Sequence, residues 1–321
     1  MAEWTDPGWL AKAHEWIHEQ LSAAGLRATG PIGQPHVRPW STVLRVPTER
    51  GDCWFKANIP TCAHEAAVVS VLARERPDRV PELLAVDRER GWMLMGDGGE
   101  RLREVIAREK SLQRWLEVLP EYAQLQIDIA ADADELVDLG APDRRLGTFG
   151  SQYEHLLDEL DGFAESELGP LRALEPRVSE MCDQLASYRI PETIQHDDLH
   201  DGQVFVRDGA YLFFDWGDSC VSHPFFSMAV TLEGQLAWGL DDIEGSEDTR
   251  PFRDAYLEPF TRWASSSDLE EAQAIALRLG WICRALNWHR IASGLESPDR
   301  EESLEGTELR LQLFRAGIGA P

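Results

Sequence analysis

The spacing of apolar residues predicts a helix near the N-terminus, followed by short strands. Residues 8–25 repeat apolar side chains at the interval of an amphipathic helix, including Trp9, Ala13, Trp16 and Leu21. The next segment, GPIGQPHVRPW, is rich in Pro and Gly and is typical of a connection without regular structure. STVLRVPTERGDCWFKANIP then predicts two strands joined at TERGD.

A helix and a second pair of strands complete the first hundred residues. From Cys62 the pattern is helical through EAAVVSVLARE and ends before Pro77. VPELLAVDRERGWMLMG predicts two more strands, joined at DRERG. We therefore expect a small antiparallel, sheet-rich N-lobe over residues 1–97, with one inserted helix.

The pattern becomes helical and acidic after GDGG at 96–99. Helical periodicity continues to about Ala186 with a break near GAPDRR, and it resumes after Pro224 with a loop near SSSD. Between these stretches, the apolar segments QVFVR and YLFFD flank Asp208-Gly209, a strong hairpin signal. The predicted class is α+β, with a mostly helical C-lobe over residues 98–321 that carries one hairpin.

The charge of the chain is strongly acidic and uneven. With 43% hydrophobic and 27% charged residues the composition is that of a globular protein, but the net charge is −26. Residues 1–97 carry 13 acidic and 11 basic side chains, so almost all of the excess lies in 98–321. Such a charge argues against binding to nucleic acids or anionic membranes. It favours either a cationic ligand or a solubility surface, and the charge alone does not separate the two.

Cysteine usage and hydropathy indicate the compartment. Five scattered cysteines form neither a CxxC pair nor a zinc-binding pattern, which favours reduced thiols. The first residues include acidic side chains and lack the apolar core of a signal peptide. No segment approaches the ~18 apolar residues of a membrane helix. We therefore expect a cytoplasmic protein.

The stretch 195–219, QHDDLHDGQVFVRDGAYLFFDWGDS, holds six aspartates and two histidines in 25 residues. It is either a solvated acidic loop or a site where a bound cation offsets the repulsion between carboxylates. His196, Asp198 and Gln203 have the spacing H-x-D-x-x-x-x-Q, and a hairpin separates them from Asp215 in DWG. Protein kinases use H-R-D-x-x-x-x-N and then D-F-G in this order, for nucleophile orientation and magnesium binding.

These two motifs also resemble the signatures of a known family. HDDLHDGQ and FFDWGDS are similar to the HGDLHxxN and (I/F)DW-x-D motifs of aminoglycoside phosphotransferases, which have a bilobal protein-kinase-like fold and include choline, homoserine and maltose/glucosamine kinases. The resemblance implies a kinase that uses ATP and Mg²⁺ to phosphorylate a hydroxyl of a small molecule. It implies that Asp198 receives the proton, His196 braces the loop, and Gln203 and Asp215 hold Mg²⁺.

The same resemblance implies a nucleotide site in the N-lobe. A strand lysine should touch the phosphates, and a glutamate on the next helix should hold that lysine. Lys56 in CWFKAN and Glu65 in AHEAAVV have these positions, and Lys56 is one of only three lysines among 31 basic residues. Further nucleotide contacts are expected at the hinge and at the loop over the phosphates: Leu94, Met95, Gly96 and Ser41.

Two positions depart from the family pattern, and the acceptor is the least determined part of the site. Gln203 replaces Asn, and Asp197 replaces the more usual Gly. The acidic C-lobe suggests an amino-bearing acceptor such as an aminoglycoside or amino sugar, and candidate contacts are Asp218, Trp281 and Trp288.

Two other functions stay open. The longer amide of Gln203 is compatible with a non-catalytic, nucleotide-binding pseudokinase. His196-Asp197 also has the form of the HD dyad of metal-dependent phosphohydrolases, although such a dyad belongs on a helix, and a hairpin follows here.

Overall fold

A five-stranded antiparallel sheet dominates the N-terminal part of the protein. The computed structural model describes residues 3–160, 163 and 165–318. The strands are β1 (Gly33–Val37), β2 (Ser41–Thr48), β3 (Gly51–Asn58), β4 (Leu83–Asp87) and β5 (Trp92–Gly96), in the order β1-β2-β3-β5-β4. Both predicted hairpins, β2–β3 and β4–β5, are confirmed.

The strand β1 was not expected from its composition. Its residues His36 and Val37 pair with Val43 and Thr42 on β2, although Gly33 and Pro35 weaken any intrinsic preference for a strand. The expectation of an unstructured connection is therefore wrong here. An edge strand tolerates Pro because one side of it needs no ladder partner.

Two helices pack on this sheet. α1 (Pro7–Ala23) begins where the Asp6 carboxylate accepts a hydrogen bond from the Trp9 backbone N–H at 2.9 Å. Trp9 and Trp16 of α1 make edge contacts with Trp92 of β5, at centroid distances of 5.9 and 5.8 Å. α2 (Glu65–Glu75) connects β3 to β4, as predicted, and buries its apolar side chains.

The rest of the chain is mainly helical. Its helices are α3 (Leu102–Glu109), α4 (Trp115–Ile129), α5 (Ala133–Asp138), α6 (Leu146–Glu159), α7 (Glu165–Arg172), α8 (Glu175–Ser187), α9 (Arg250–Leu257), α10 (Ser266–Ser293) and α11 (Asp299–Ile318). A π-helical segment, Ala229–Gln235, precedes α9. The α+β class is confirmed, with the sheet in the N-terminal part and helices beyond it.

Short strands frame the acidic stretch inside the helical part. β8 (Val204–Arg207) and β9 (Ala210–Phe213) form the predicted hairpin, and its turn residues Asp208 and Gly209 have φ of 51° and 82°. β6 (Glu100–Arg101) pairs with β8, and β7 (Thr193–Gln195) pairs with β10 (Cys220–Ser222). These pairings hold the two ends of the acidic stretch beside each other.

The buried apolar side chains form two clusters that meet along α10. The larger cluster fills the helical part and includes Met93 and Met95 of β5. The smaller lies around α1 and the sheet and includes Ile291 near the end of α10. None of the helices in the described part of the chain is long and apolar enough to cross a lipid bilayer.

Candidate active site

A buried lysine links the sheet to the acidic stretch. Lys56 on β3 is 3% exposed, and its Nζ donates to Glu65 Oε1 at 2.8 Å and to the carboxylate of Asp215. Burial alone would lower the pKa of Lys56, but the charges of Asp215 and Glu65 outweigh it and raise the pKa. The ammonium therefore stays charged and fixed at the inner wall of the cleft.

Glu65 holds this lysine from the first turn of α2. Its carboxylate also accepts from Asn58 Nδ2 at 2.5 Å and from the Trp216 backbone N–H at 3.0 Å. Burial raises the pKa of Glu65, against the opposing charge of Lys56. The position on α2 lets one fully buried carboxylate join β3 to the DWG segment.

The loop after β7 carries the H-x-D motif. His196 is buried, its Nε2 donates to the Phe214 carbonyl at 2.8 Å, and its ring lies 4.8 Å from that of Trp216. Burial lowers the pKa of His196, so the neutral ring is favoured. The contacts tie the loop to the strand before DWG and give the side chain no path to the cleft.

Asp198 follows at the cleft wall. One of its oxygens, Oδ1, accepts from Arg284 Nη2 at 2.6 Å, and the other lies 3.7 Å from His200 Nε2. His200 is oriented in turn, because its Nδ1 accepts from the Gly202 backbone N–H at 2.9 Å. The Asp198 side chain is one quarter exposed, so it can reach a molecule in the cleft.

Gln203 and Asp215 form a pair of oxygen donors suited to a hard cation. Asp215 has a left-handed backbone with φ of 67°, and its Oδ2 accepts from Gln203 Nε2 at 3.1 Å. Burial would raise the pKa of Asp215, but the ammonium of Lys56 lowers it below its usual value. The carboxylate is therefore ionised and available to a metal.

The donor set fits Mg²⁺ bound together with a nucleotide. Among residues 3–160, 163 and 165–318, no group of three or more His, Cys, Asp or Glu side chains is arranged to hold a metal ion. Mg²⁺ usually takes one or two carboxylates from a protein, with phosphates and waters as its other ligands, and the amide oxygen of Gln203 is a further hard donor beside Asp215. Gln203 faces Asp215 with its Nε2, so to bind the ion its amide group would have to rotate and present its oxygen instead. The rest of the side chain could stay in place.

A single cleft of about 800 Å³ brings these groups together. Its lining includes Lys56, Asp198, Gln203 and Asp215 from the motifs, together with Ser41 at the start of β2. It also includes basic side chains that the sequence analysis did not single out: His36, Arg38, Arg101 and Arg103. The cleft thus combines carboxylates with the cations of Lys56 and the three arginines, which suit a polyphosphate, whereas burial lowers the pKa of His36 and favours its neutral ring.

The structure places the predicted hinge residues in different surroundings. Met95 and Gly96 line the cleft, but Leu94 is fully buried in the core around α1 and does not. The Gly96 N–H donates to the Glu82 carbonyl at 2.8 Å and is therefore not free for a base. The residues after β5, Asp97 to Gly99, also line the cleft and extend the hinge surface.

The two tryptophans proposed as acceptor contacts lie in different surroundings. Trp288 lines the cleft, with Trp40 at a centroid distance of 6.5 Å. Trp281 is buried, and its indole Nε1 donates to Glu233 Oε2 at 2.7 Å, so the expectation of acceptor contact is wrong for Trp281. Asp218 lines the cleft, and its carboxylate accepts from Arg284.

The polar residues of α10 that contact the acidic stretch were not predicted from the sequence. Arg284 and Asn287 contact Asp197, Asp198 and Asp218, and both are buried. The one signal in the sequence was a pair of polar residues within the apolar helix GWICRALNWHR. Their partners lie 86 and 90 residues away in the sequence, so the local spacing of residues does not indicate these contacts.

Solved structures define the class of the fold. An ethanolamine kinase of Plasmodium vivax is 15% identical to this chain, with a TM-score of 0.61. The alignment covers 94% of this chain and 89% of that chain. A choline kinase of Cryptosporidium parvum is 11% identical with a TM-score of 0.62, and 95% of each chain is covered. An aminoglycoside phosphotransferase in a ternary complex with streptomycin and ATP is 15% identical with a TM-score of 0.53, over 94% of this chain and 96% of that one. The fold is the bilobal protein-kinase-like fold of small-molecule kinases.

The sequence itself gives the family. The sequence model of the phosphotransferase enzyme family matches residues 34–275, which include all the predicted motif residues. The chain belongs to this phosphotransferase family, as the resemblance in the acidic stretch implied. The comparison with curated proteins finds no match.

Proposed function

We propose that the protein transfers the γ-phosphoryl group of ATP to a hydroxyl group of a small molecule. The observation that carries this proposal is the ion-paired set of Lys56, Glu65 and Asp215, of which Lys56 and Asp215 line one cleft together with Asp198 and Gln203. A fixed cation beside an ionised carboxylate is what a bound triphosphate and its metal require. The family membership supports it, as does the structural neighbour that was solved with ATP and streptomycin.

Each residue has a distinct part in the proposed reaction. Lys56, held by Glu65, contacts phosphate oxygens of ATP and keeps the nucleotide in register. Asp215 and Gln203 would hold Mg²⁺, which when bound neutralises negative charge on the phosphates. His196 contributes by bracing the loop, since its ring nitrogen is taken by the Phe214 carbonyl.

Asp198 orients the acceptor hydroxyl and receives its proton. The acceptor oxygen forms a bond to the γ-phosphorus of ATP. The bond between that phosphorus and the β,γ-bridging oxygen breaks, and ADP leaves with the electron pair of this bond. The hydroxyl proton moves to the Asp198 carboxylate. Because the transition state of phosphoryl transfer is loose, most of the rate enhancement comes from positioning and charge.

The acceptor in this proposal carries an amino group near its hydroxyl. The cleft wall beside Asp198 also presents Asp218, and Trp288 lines the same cleft, where an aromatic side chain suits a cation or sugar. The excess charge of −26 favours the approach of cationic molecules. Ethanolamine, choline and streptomycin, named for the structural neighbours, are all amino compounds or quaternary amines.

An ADP-release assay with Mg²⁺ tests the proposal. The acceptors are aminoglycosides, glucosamine, ethanolamine, choline, homoserine and maltose, each with the wild type and with Asp198→Asn. The matched control is Asp208→Asn, since Asp208 is a fully solvated turn aspartate in the same stretch and Asn tolerates its left-handed backbone.

The expected result is turnover with at least one acceptor, lost by about 10²–10⁴-fold in Asp198→Asn and retained in Asp208→Asn. Nucleotide affinity should be similar in all three proteins. ATP-induced thermal stabilisation without transfer to any acceptor would instead favour the non-catalytic nucleotide-binding function that Gln203 suggests. Hydrolysis of phosphate esters by a tightly held metal without ATP would favour the phosphohydrolase.

A further inference from the structure

One guanidinium on α10 joins three carboxylates at the cleft. Arg284 is 6% exposed; its Nη2 donates to Asp198 Oδ1 at 2.6 Å, and its Nη1 donates to the Asp218 carboxylate and lies 3.5 Å from Asp197 Oδ2. Burial would lower the pKa of Arg284, but the charges of Asp198 and Asp218 raise it, so the group stays protonated.

Asn287, one turn further along α10, completes the connection. Its Nδ2 donates to Asp197 Oδ2 at 2.5 Å and to the Asp218 carbonyl at 2.8 Å. Asp197 itself has a left-handed backbone with φ of 64° and is 1% exposed. A non-glycine residue in this conformation is strained, and its side-chain bonds to α10 offset that cost.

Arg284 does not reach the cleft surface itself. It is absent from the cleft lining, whereas Asp198 and Asp218 are present in it, and its donors are directed at carboxylates. A role as a direct contact for the nucleotide or the acceptor therefore has no support. Its influence on the reaction has to pass through the carboxylates that it holds, and of these Asp198 is the one that the proposed function assigns to the acceptor proton.

We propose that Arg284 is a positioning residue for Asp198, an inference that rests on the proposed function. The guanidinium holds Oδ1 toward α10, so the second oxygen, near His200, is directed to the acceptor hydroxyl. The same cation offsets the repulsion among the three carboxylates, which otherwise would push Asp198 out of place. Asp197 and Asn287 fix the distance between the loop and α10.

A merely structural ion pair predicts a different pattern of kinetics from a positioning residue. If Arg284 acts through Asp198, removing it has no further effect once the Asp198 carboxylate is gone. A residue that only supports the fold would lower turnover by the same factor in both backgrounds. Lysine at position 284 keeps the charge but cannot bridge several carboxylates, so it should restore part of the turnover.

The experiment compares kcat, KM and nucleotide affinity in a set of variants. These are Arg284→Met, Arg284→Lys, Asp198→Asn and the double variant Arg284→Met/Asp198→Asn, assayed with Mg·ATP and the acceptor panel, and with water as acceptor. The matched control is Arg278→Met on the same helix, because Arg278 pairs with Glu233 and has no contact with Asp198. Thermal unfolding of each variant is measured alongside.

Arg284→Met should lower kcat by about 10²-fold with ATP affinity changed less than about threefold, and Arg284→Lys should be intermediate. The double variant should match Asp198→Asn. If Arg284→Met fails to fold, the same comparison is made with Arg284→Lys in both backgrounds. Two results overturn the positioning role but leave the kinase proposal standing, provided that the wild type turns over. One is an unchanged kcat in the folded position-284 variants, and the other is a double variant whose loss is the product of the two single losses. No transfer by the wild type, with ATP bound, refutes the proposed function and this inference with it.

Discussion

Replacing Lys56 with methionine should destabilise the fold in a way that depends on pH. The change removes the ammonium between Glu65 and Asp215 and keeps most of the apolar stem that packs in the sheet. Glu65, 1% exposed at the side chain, is then a buried carboxylate without a cation. The neutral donors Asn58 and the Trp216 N–H remain, but they do not supply a compensating charge.

The size of the effect follows from the burial of each partner. Breaking a buried ion pair by removing one partner costs about 3–5 kcal/mol, because an uncompensated charge stays behind. The pair with Asp215 adds less than about 1 kcal/mol, since that carboxylate is 39% exposed and solvent screens it. We expect a loss of about 3 kcal/mol in the free energy of unfolding at pH 8.

The pH dependence has a definite sign. Burial already raises the pKa of Glu65 above its ordinary value of 4.5, and removal of Lys56 takes away the main opposing charge. In the variant the folded state therefore binds a proton that the unfolded state releases, so stability is retained near pH 4.5 and falls as pH rises through the folded pKa. The loss relative to wild type should therefore be smaller at pH 5 than at pH 8.

Urea denaturation followed by tryptophan fluorescence measures the free energy of unfolding of the wild type and the variant at pH 5 and at pH 8. Lys12→Met is the matched control, because Lys12 is exposed on α1. In the double variant Lys56→Met/Glu65→Gln both buried charges are absent, so part of the lost stability should return. A stability difference that is the same at both pH values, or larger at pH 5, would refute the assignment of Glu65 as the buried partner.

Three further predictions concern the site and the core. Asp215→Asn should abolish Mg²⁺-dependent ADP release, whereas Gln203→Asn should keep it with an altered Mg²⁺ requirement, and a Mg²⁺ titration of ADP release checks both; normal activity of Asp215→Asn would contradict the metal role. Burial lowers the pKa of His223 to about 3, so the folded state resists a proton that the unfolded state binds, and stability should fall as pH drops below about 6.5. His223→Asn should flatten this slope in urea titrations from pH 7 to pH 5, and an unchanged slope would be evidence against it. Trp288→Ala should raise the acceptor KM, whereas Trp281→Phe should lower the thermal midpoint and leave KM unchanged; the reverse pattern would show that the wrong indole was assigned to the cleft.

The sequence predicted those parts of the fold that depend on local pattern. α1 and the hairpins β2–β3 and β4–β5 follow from periodicity and turn residues, and the class follows from their order. β1 could not be predicted in this way, because its pairing depends on the neighbouring β2 rather than on its own composition. The boundary at residue 97 between the lobes stays a prediction.

The candidate site divides in the same way. The resemblance to the family motifs led to Lys56 and Asp215, with the rarity of lysine as support for Lys56, and these two residues do contact each other. Arg284 could not be found in this way, because its link to Asp198 spans 86 residues and leaves no periodic trace. Trp281 and Trp288 looked equivalent on one face of α10, but seven residues separate them by about 10 Å along the helix, enough to place one in the core and one at the cleft.

The course of α10 has a consequence for how the cleft can open. At its far end Arg290 donates to the carbonyl groups of Thr61 and Gly217, and Ile291 joins the core around α1. The helix is therefore a second connection between the two lobes, in addition to the chain that runs on from β5. Widening of the cleft about the segment after β5 would break these contacts, so α10 limits how far the two lobes can separate there.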